Sequence, residues 1–251
     1  MKPTVLIDAD VVAFSAAAAC EEAIEWAEGY WTWNADFHAT KNACIVQVER
    51  IMDELKGHEH VLCLSDHTDN FRLDWHPEYK HQRKGGKRPL VLQQIKEWMV
   101  EELDAKRLPR LEGDDLLGIL ATMKSKRPRV VVSIDKDLRT IPCTFYRDIY
   151  DDPVEVDETM ADYNFLLQTL TGDITDGYPG CPGIGPSAAA SILEVGAPVE
   201  DNWEAVVDAY EDNGLGVEEA ICQARCARIL RASDYNIKKK EITPWTPQSF
   251  E

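Results

Sequence analysis

The chain has 251 residues and a formal charge of −18, from 27 Lys and Arg against 45 Asp and Glu. This length holds one core plus a small appended lobe, and the charge excludes a protein that coats nucleic acid by bulk electrostatics while leaving room for local basic patches. No apolar stretch approaches the ~20 residues of a membrane span, MKPTVLIDAD lacks the long apolar region of a signal peptide, and the seven cysteines are scattered without C-x-x-C spacing; a cytoplasmic protein with reduced thiols is expected.

In chain order, TVLIDAD at 4–10 reads as a buried strand, and the aromatic alternation EGYWTWNADF at 28–37 as an inserted hairpin or loop. Ile45, Val48, Ile51, Met52 and Leu55 recur at helical spacing, and HVLCLSD at 60–66 is a second strand. A basic run, Lys80 to Arg88, precedes helical patterns at Leu90–Leu103 and Asp114–Met123, and RVVVSIDKD at 129–137 is a third strand. Strands alternating with helices predict an α/β domain with a mostly parallel sheet over 1–157. From about 158 the strands are expected to stop. Helices at Glu158–Leu170, Pro186–Leu193, Trp203–Tyr210 and Val217–Ala232 would form a lobe at 158–235, with 236–251 as an extended tail.

Each strand ends in aspartate, and ligands of parallel sheets bind beyond the carboxyl ends of the strands. The acids Asp8, Asp10, Asp66, Glu112, Asp114, Asp115, Asp135, Asp137, Asp173 and Asp176 would then collect at one rim. Such a cluster needs protonation or cations to be tolerated, and hard oxygen ligands select Mg²⁺ or Mn²⁺. Two such ions are the usual device for in-line attack on a phosphodiester. Taken singly, each acid has a plain reading: a strand-end aspartate as a helix N-cap, Asp114 and Asp115 as first-turn acids, Asp173 and Asp176 as a solvated helix end. Beside the last pair, Gly180, Gly183 and Gly185 leave backbone N–H groups bare for a phosphate.

The order of these motifs resembles the 5′-nuclease (flap endonuclease) family, most closely the free-standing 5′-to-3′ exonucleases of short-tailed bacteriophages. Five stretches carry the resemblance: LIDAD with Asp8, LCLSD with Asp66, LEGDD with Glu112, Asp114 and Asp115, SIDKDL with Asp135 and Asp137, and GDITDGYPGCPGIG with Asp173 and Asp176. The resemblance implies a PIN-like sheet flanked by helices, with a helical arch at about 76–110 and a helix-three-turn-helix lobe that binds duplex DNA and commonly K⁺. It implies one metal site from Asp8, Asp66, Glu112 and Asp114, a second from Asp135, Asp137, Asp173 and Asp176, and Asp115 nearby. In PEYKHQR at the arch base, it implies that Tyr79 stacks on a base while Lys80 and Arg83 reach the scissile phosphate. Lys84 would add a DNA contact, as would Gly183, Ile184, Gly185 and Ser187, the last standing where the family often has lysine. The implied activity is metal-dependent 5′-to-3′ exonuclease and 5′-flap cleavage in phage replication, including RNA primer removal, alongside other phage replication proteins.

Two other readings differ in class. IDADVV also resembles the start of haloacid-dehalogenase-like phosphatases, with Asp8 as nucleophile, but that leaves Glu112, Asp114, Asp135 and Asp137 without a role. A non-catalytic helix-hairpin-helix DNA-binding protein would use the G-I-G turn, yet it gains nothing from an acidic cluster that repels phosphate.

Overall fold

The computed structural model describes residues 1–82 and 87–247. Strand β1 (Thr4–Asp8) is fully buried and runs into α1 (Ala9–Ala19), which Asp8 caps by accepting from the N–H groups of Asp10 and Val11. An antiparallel hairpin, β2 (Glu21–Ala27) and β3 (Tyr30–Ala35), follows, starting seven residues earlier than the aromatic alternation suggests. Then come α2 (Phe37–Glu54), β4 (Glu59–Leu64), α3 (Leu92–Glu102), the short β5 (Lys106–Arg107), α4 (Gly113–Thr122), β6 (Arg129–Val132), β7 (Cys143–Tyr146) and β8 (Val154–Val156). These six strands, the hairpin aside, form one sheet ordered β5-β4-β1-β6-β7-β8, parallel throughout except for β8.

Because β1 lies between β4 and β6, the chain leaves it on both sides, and the crevice at the carboxyl ends opens there. The first core cluster packs α1, α2 and α3 against one face, with Ile7, Val12, Ala16, Leu62, Ile95 and Met99 buried; the opposite face buries Leu6, Leu117, Val131 and Phe145 under α4. The described part of the expected arch at about 76–110 contains α3. Arg83 and Lys84 lie outside the described residues, while α3 is a core helix, with Ile95 and Met99 fully buried beside α1 and Lys96 paired to Asp10 at 2.5 Å.

Helices α5 (Glu158–Thr171), α6 (Pro186–Ile192), α7 (Val199–Asp212) and α8 (Val217–Ala227) build the lobe around Phe165, Leu170, Trp203, Val206, Tyr210 and Ala224. The helix expected to reach Ala232 stops at Ala227. Arg228 turns extended, its Nε donates to Asp234 at 2.9 Å, and the strand-like run after it meets α4, where Leu230 N–H donates to Asp115. Strands do not end at 158 either: β9 (Tyr235–Asn236) and β10 (Glu241–Ile242) pair in a small hairpin, and Trp245 packs edge-on against Phe165 and Trp203. Among the described residues, no helix is long and apolar enough to cross a membrane.

Candidate active site

The carboxyl-end crevice is a cavity of about 220 Å³ between sheet and lobe. Glu112 and Asp114 enter from the start of α4, Asp135 and Asp137 from the turn after β6, and Asp173 and Asp176 from the loop after α5; Lys80, Lys136, Tyr79 and Arg72 complete the polar lining. Asp8 adjoins these acids beneath, bonded to Ser133 Oγ at 2.6 Å.

The Asp173–Asp176 loop is shaped by glycine. Gly172, the C-cap of α5, has φ 66° and ψ −178°, a region open essentially to glycine alone, and a Cβ there would stand 2.4 Å from the Pro179 carbonyl carbon. Gly180 (φ 67°) is equally tight against Gly172. This crossing lets Asp173 N–H donate to the Tyr178 carbonyl and folds the loop so that Asp173 Oδ1 accepts from the N–H groups of Thr175 and Asp176.

Burial raises the Asp137 carboxyl to about 6, with Asp135 adding repulsion. Burial likewise raises Asp8 to about 6, with Asp10 repelling it and the Ser133 bond opposing the shift. Asp114 is pushed well above the usual carboxylate range by burial and by Asp8, Asp135 and Glu112. Glu112 goes the other way: burial alone would raise it, but Lys80 and Arg72 more than offset this and hold it ionised. Lys80 pairs with Glu112 and lies 3.4 Å from Asp176, on a backbone with φ 55° whose N–H donates to the Asp176 carbonyl at 2.6 Å. The cluster therefore carries more negative charge than its cations neutralise, with oxygen donors throughout. Among the described residues, no group of three or more His, Cys, Asp or Glu side chains is placed to hold a metal ion in this arrangement.

Three expected site residues are engaged by neighbouring groups. Asp115 is fully buried and saturated: Arg72 donates to both its oxygens at 2.8 Å, and it also accepts from the N–H groups of Glu112 and Leu230. In this arrangement it is the counter-ion of Arg72. Asp66 lies outside the cavity lining, its carboxylate accepting from Thr68 Oγ1 at 2.6 Å, Thr68 N–H and Arg110 N–H. Tyr79 is 5 % exposed, stacked on Tyr178, with its hydroxyl sharing its one proton between Glu112 at 3.1 Å and Asp176 at 3.0 Å. So placed, the ring braces two acids of the cavity. Gly183, Gly185 and Ser187 are exposed at the start of α6, and Ile184 packs into the lobe core. Arg72 was missed because nothing in FRLDW marks an arginine 43 residues upstream as the partner of Asp115. A second cavity, about 250 Å³, lies under the tail, where Arg228 and Arg231 are paired to Asp234 and Asp162.

A mostly parallel sheet with acids over its carboxyl rim and a helical lobe facing them is the PIN-like, resolvase-like nuclease architecture. Residues 3–161 match the family described as the 5′-3′ exonuclease, N-terminal resolvase-like domain. The exodeoxyribonuclease of Enterobacteria phage T3 is 32% identical over 99% of this chain and 94% of its own length, and the exonuclease of Escherichia phage T7 is 31% identical over 98% and 94%. A flap endonuclease Xni of Vibrio campbellii is 30% identical over 72% of this chain and 75% of its own. Among solved structures, the T5 D15 protein co-crystallized with metal ions superposes with a TM-score of 0.61 at 14% identity, covering 90% of this chain and 91% of that one. The bacteriophage T5 D15 flap endonuclease pseudo-enzyme-product complex with DNA and metal ions gives 0.60 at 15% identity, over 90% and 91%. The chain belongs to the 5′-3′ exonuclease family, and its activity is that of a 5′-to-3′ exonuclease and flap nuclease.

Proposed function

We propose that this nuclease acts on DNA, from a 5′ end of a duplex or at a 5′ flap, with two Mg²⁺ or Mn²⁺ ions held by the cavity acids. The observation that carries this reading is the crowded acidic cluster: Asp8, Asp114 and Asp137 each favour the proton because burial desolvates them and neighbouring carboxylates repel them. Asp8, Glu112 and Asp114 would hold one ion and Asp135, Asp137, Asp173 and Asp176 the other, with Asp66 fixing the adjacent loop. When bound, such ions neutralise the acids and polarise the phosphodiester for in-line attack by water.

The chain's own groups do the positioning. Lys80 supplies a cation at the cavity wall for the charge that develops on the scissile phosphate, and Arg83 joins it from the same run. The lobe at 158–235 holds the duplex, with the exposed turn Gly183–Ser187 offering backbone N–H groups to a phosphate and a site for K⁺. Lys84 adds a backbone contact. The biological setting is phage replication in the host cytoplasm, with RNA-primed 5′ ends among the substrates and other replication proteins nearby.

The test is a digest of end-labelled duplex and 5′-flap substrates. Products released from a 5′ label with Mg²⁺, and none with a chelator, are expected; release from the 3′ end, or undiminished cutting without divalent ions, would overturn the reading.

A further inference from the structure

The β2–β3 hairpin takes no part in the acidic cavity, and its surface is unusual. Trp26, Tyr30, Trp31 and Trp33 are all more than half exposed, and every residue from Glu21 to Ala35 except Glu21, Ile24 and Ala35 is open to solvent. The same stretch carries Glu21, Glu22, Glu25 and Glu28 and no Lys or Arg. Aromatic side chains with low rotamer entropy, set among carboxylates, are interface chemistry rather than ordinary surface.

The register sets carboxylates and indoles side by side. Trp33 stands opposite Ala23 and Trp31 opposite Glu25, so alternation puts Glu21, Ala23, Glu25, Trp31 and Trp33 on one side of the ribbon. At the inner end of that side, Lys87 lies over the Trp33 ring while its ammonium pairs with Glu21 at 2.6 Å, and Glu21 also accepts the Leu90 N–H. A carboxylate and an indole thus grip one lysine, combining an ion pair with a cation–π contact. One row beyond Trp33, Glu25 and Trp31 again set a carboxylate beside an indole, here directly opposite rather than diagonal. Among the described residues Glu25 accepts only from the Gly29 N–H, at 3.3 Å, and no Lys or Arg reaches it.

We propose that this face of the hairpin docks a protein partner through Lys or Arg side chains, with Glu25 and Trp31 receiving the first of them as Glu21 and Trp33 receive Lys87. The charge pattern selects that occupant. Single-stranded DNA needs a positive groove beside its stacking aromatics, and this ribbon supplies only carboxylates. A second copy of the chain would bring glutamates to glutamates on a molecule already at −18.

The probe is a short labelled peptide of alternating Arg and Ser, titrated by fluorescence anisotropy into the full chain at about 0.15 M salt, where long-range attraction is screened. Binding is expected, with Glu25→Gln/Trp31→Ala weakening it about tenfold. Glu22→Gln, which removes the same charge from the opposite face, should change it less than about twofold, and a citrulline version of the peptide should not bind. Nuclease rates of both variants should match the parent, reporting that they are folded. Equal losses in the two variants would reduce the effect to bulk charge, and no binding by the parent chain would also sink the proposal. So would a Trp31-dependent affinity for oligothymidylate, or a dimer that dissociates in Glu25→Gln/Trp31→Ala.

Discussion

Arg72 is 2 % exposed and shares its guanidinium between Asp115 and the carbonyls of Cys226 and Arg228, so one side chain joins the α4 acids to the lobe. Breaking a buried pair from one side strands a charge, at a cost of about 3–5 kcal/mol. Asp115→Asn should therefore lower the melting temperature by roughly 10 °C even in chelator. A ligand would behave oppositely, since removing one of several crowded acids relieves repulsion. Calorimetry with and without chelator decides it. Asp137 supplies that contrast. Its folded pKa, about 6, lies above the 3.8 of the free side chain, so the folded state holds its proton more tightly. Its contribution is least unfavourable below pH 3.8, and stability is lost as pH rises from there through 6. In chelator, Asp137→Asn should melt roughly 3–6 °C above the parent at pH 7.5, and the gap should shrink at pH 5. With Mg²⁺ it should narrow or invert, and the variant should not cleave. A lower melting temperature for Asp137→Asn in chelator would show that no repulsion resides there.

At the scale of elements, the loop after α5 depends on two glycines pressed together, and Gly172→Ala places a Cβ against backbone that cannot move aside. A residue forced into that φ/ψ region costs about 1–3 kcal/mol, and relief would come from displacing Asp173 and Asp176. Cleavage should fall at least about tenfold with the far strands unperturbed, a comparison that hydrogen exchange along the chain can make. Much of this layer was legible. TVLIDAD, HVLCLSD and RVVVSIDKD became β1, β4 and β6 because buried parallel strands are continuous apolar runs, and their terminal acids converge because parallel strands share a carboxyl rim. Other parts were not. CTFY and VEV, now β7 and β8, are too short to show a period, and the apolar spacing of α3 gave no sign of whether it lines a core or spans an opening. In LEGDD, spacing alone could not tell which of two adjacent aspartates faces the cavity: Asp114 does, whereas Asp115 turns to Arg72, a long-range pairing that no local pattern encodes.

The whole molecule is an acidic body that must approach a polyanion. Its net charge of −18 slows encounter and opposes any broad contact, so affinity for DNA must come from few, well-placed cations. Lys80 belongs to the only basic run that reaches the cavity lining among the described residues, and even Lys80 is engaged by Glu112 and Asp176. Each phosphate neutralised by a side chain adds about 0.9 to the slope of log affinity against log salt on duplex. A handful of contacts therefore predicts a slope of only about 2 to 4 in magnitude, against roughly 10 for a protein built to coat DNA. Lys80→Ala should reduce the slope by about 1 at most and, under the proposed role of its cation toward charge that grows during cleavage, should lower kcat by about 10² while weakening binding far less. Lys126→Ala, in the basic stretch KSKRPR at 124–129, whose residues are absent from the cavity lining, is the control and should leave both nearly unchanged. The measurements are binding isotherms for a 5′-flap duplex across a salt series in Ca²⁺ and single-turnover rates in Mg²⁺. A steep slope, or a Lys80→Ala defect confined to binding, would mean that DNA is held by the surface at large and that Lys80 is ordinary charge.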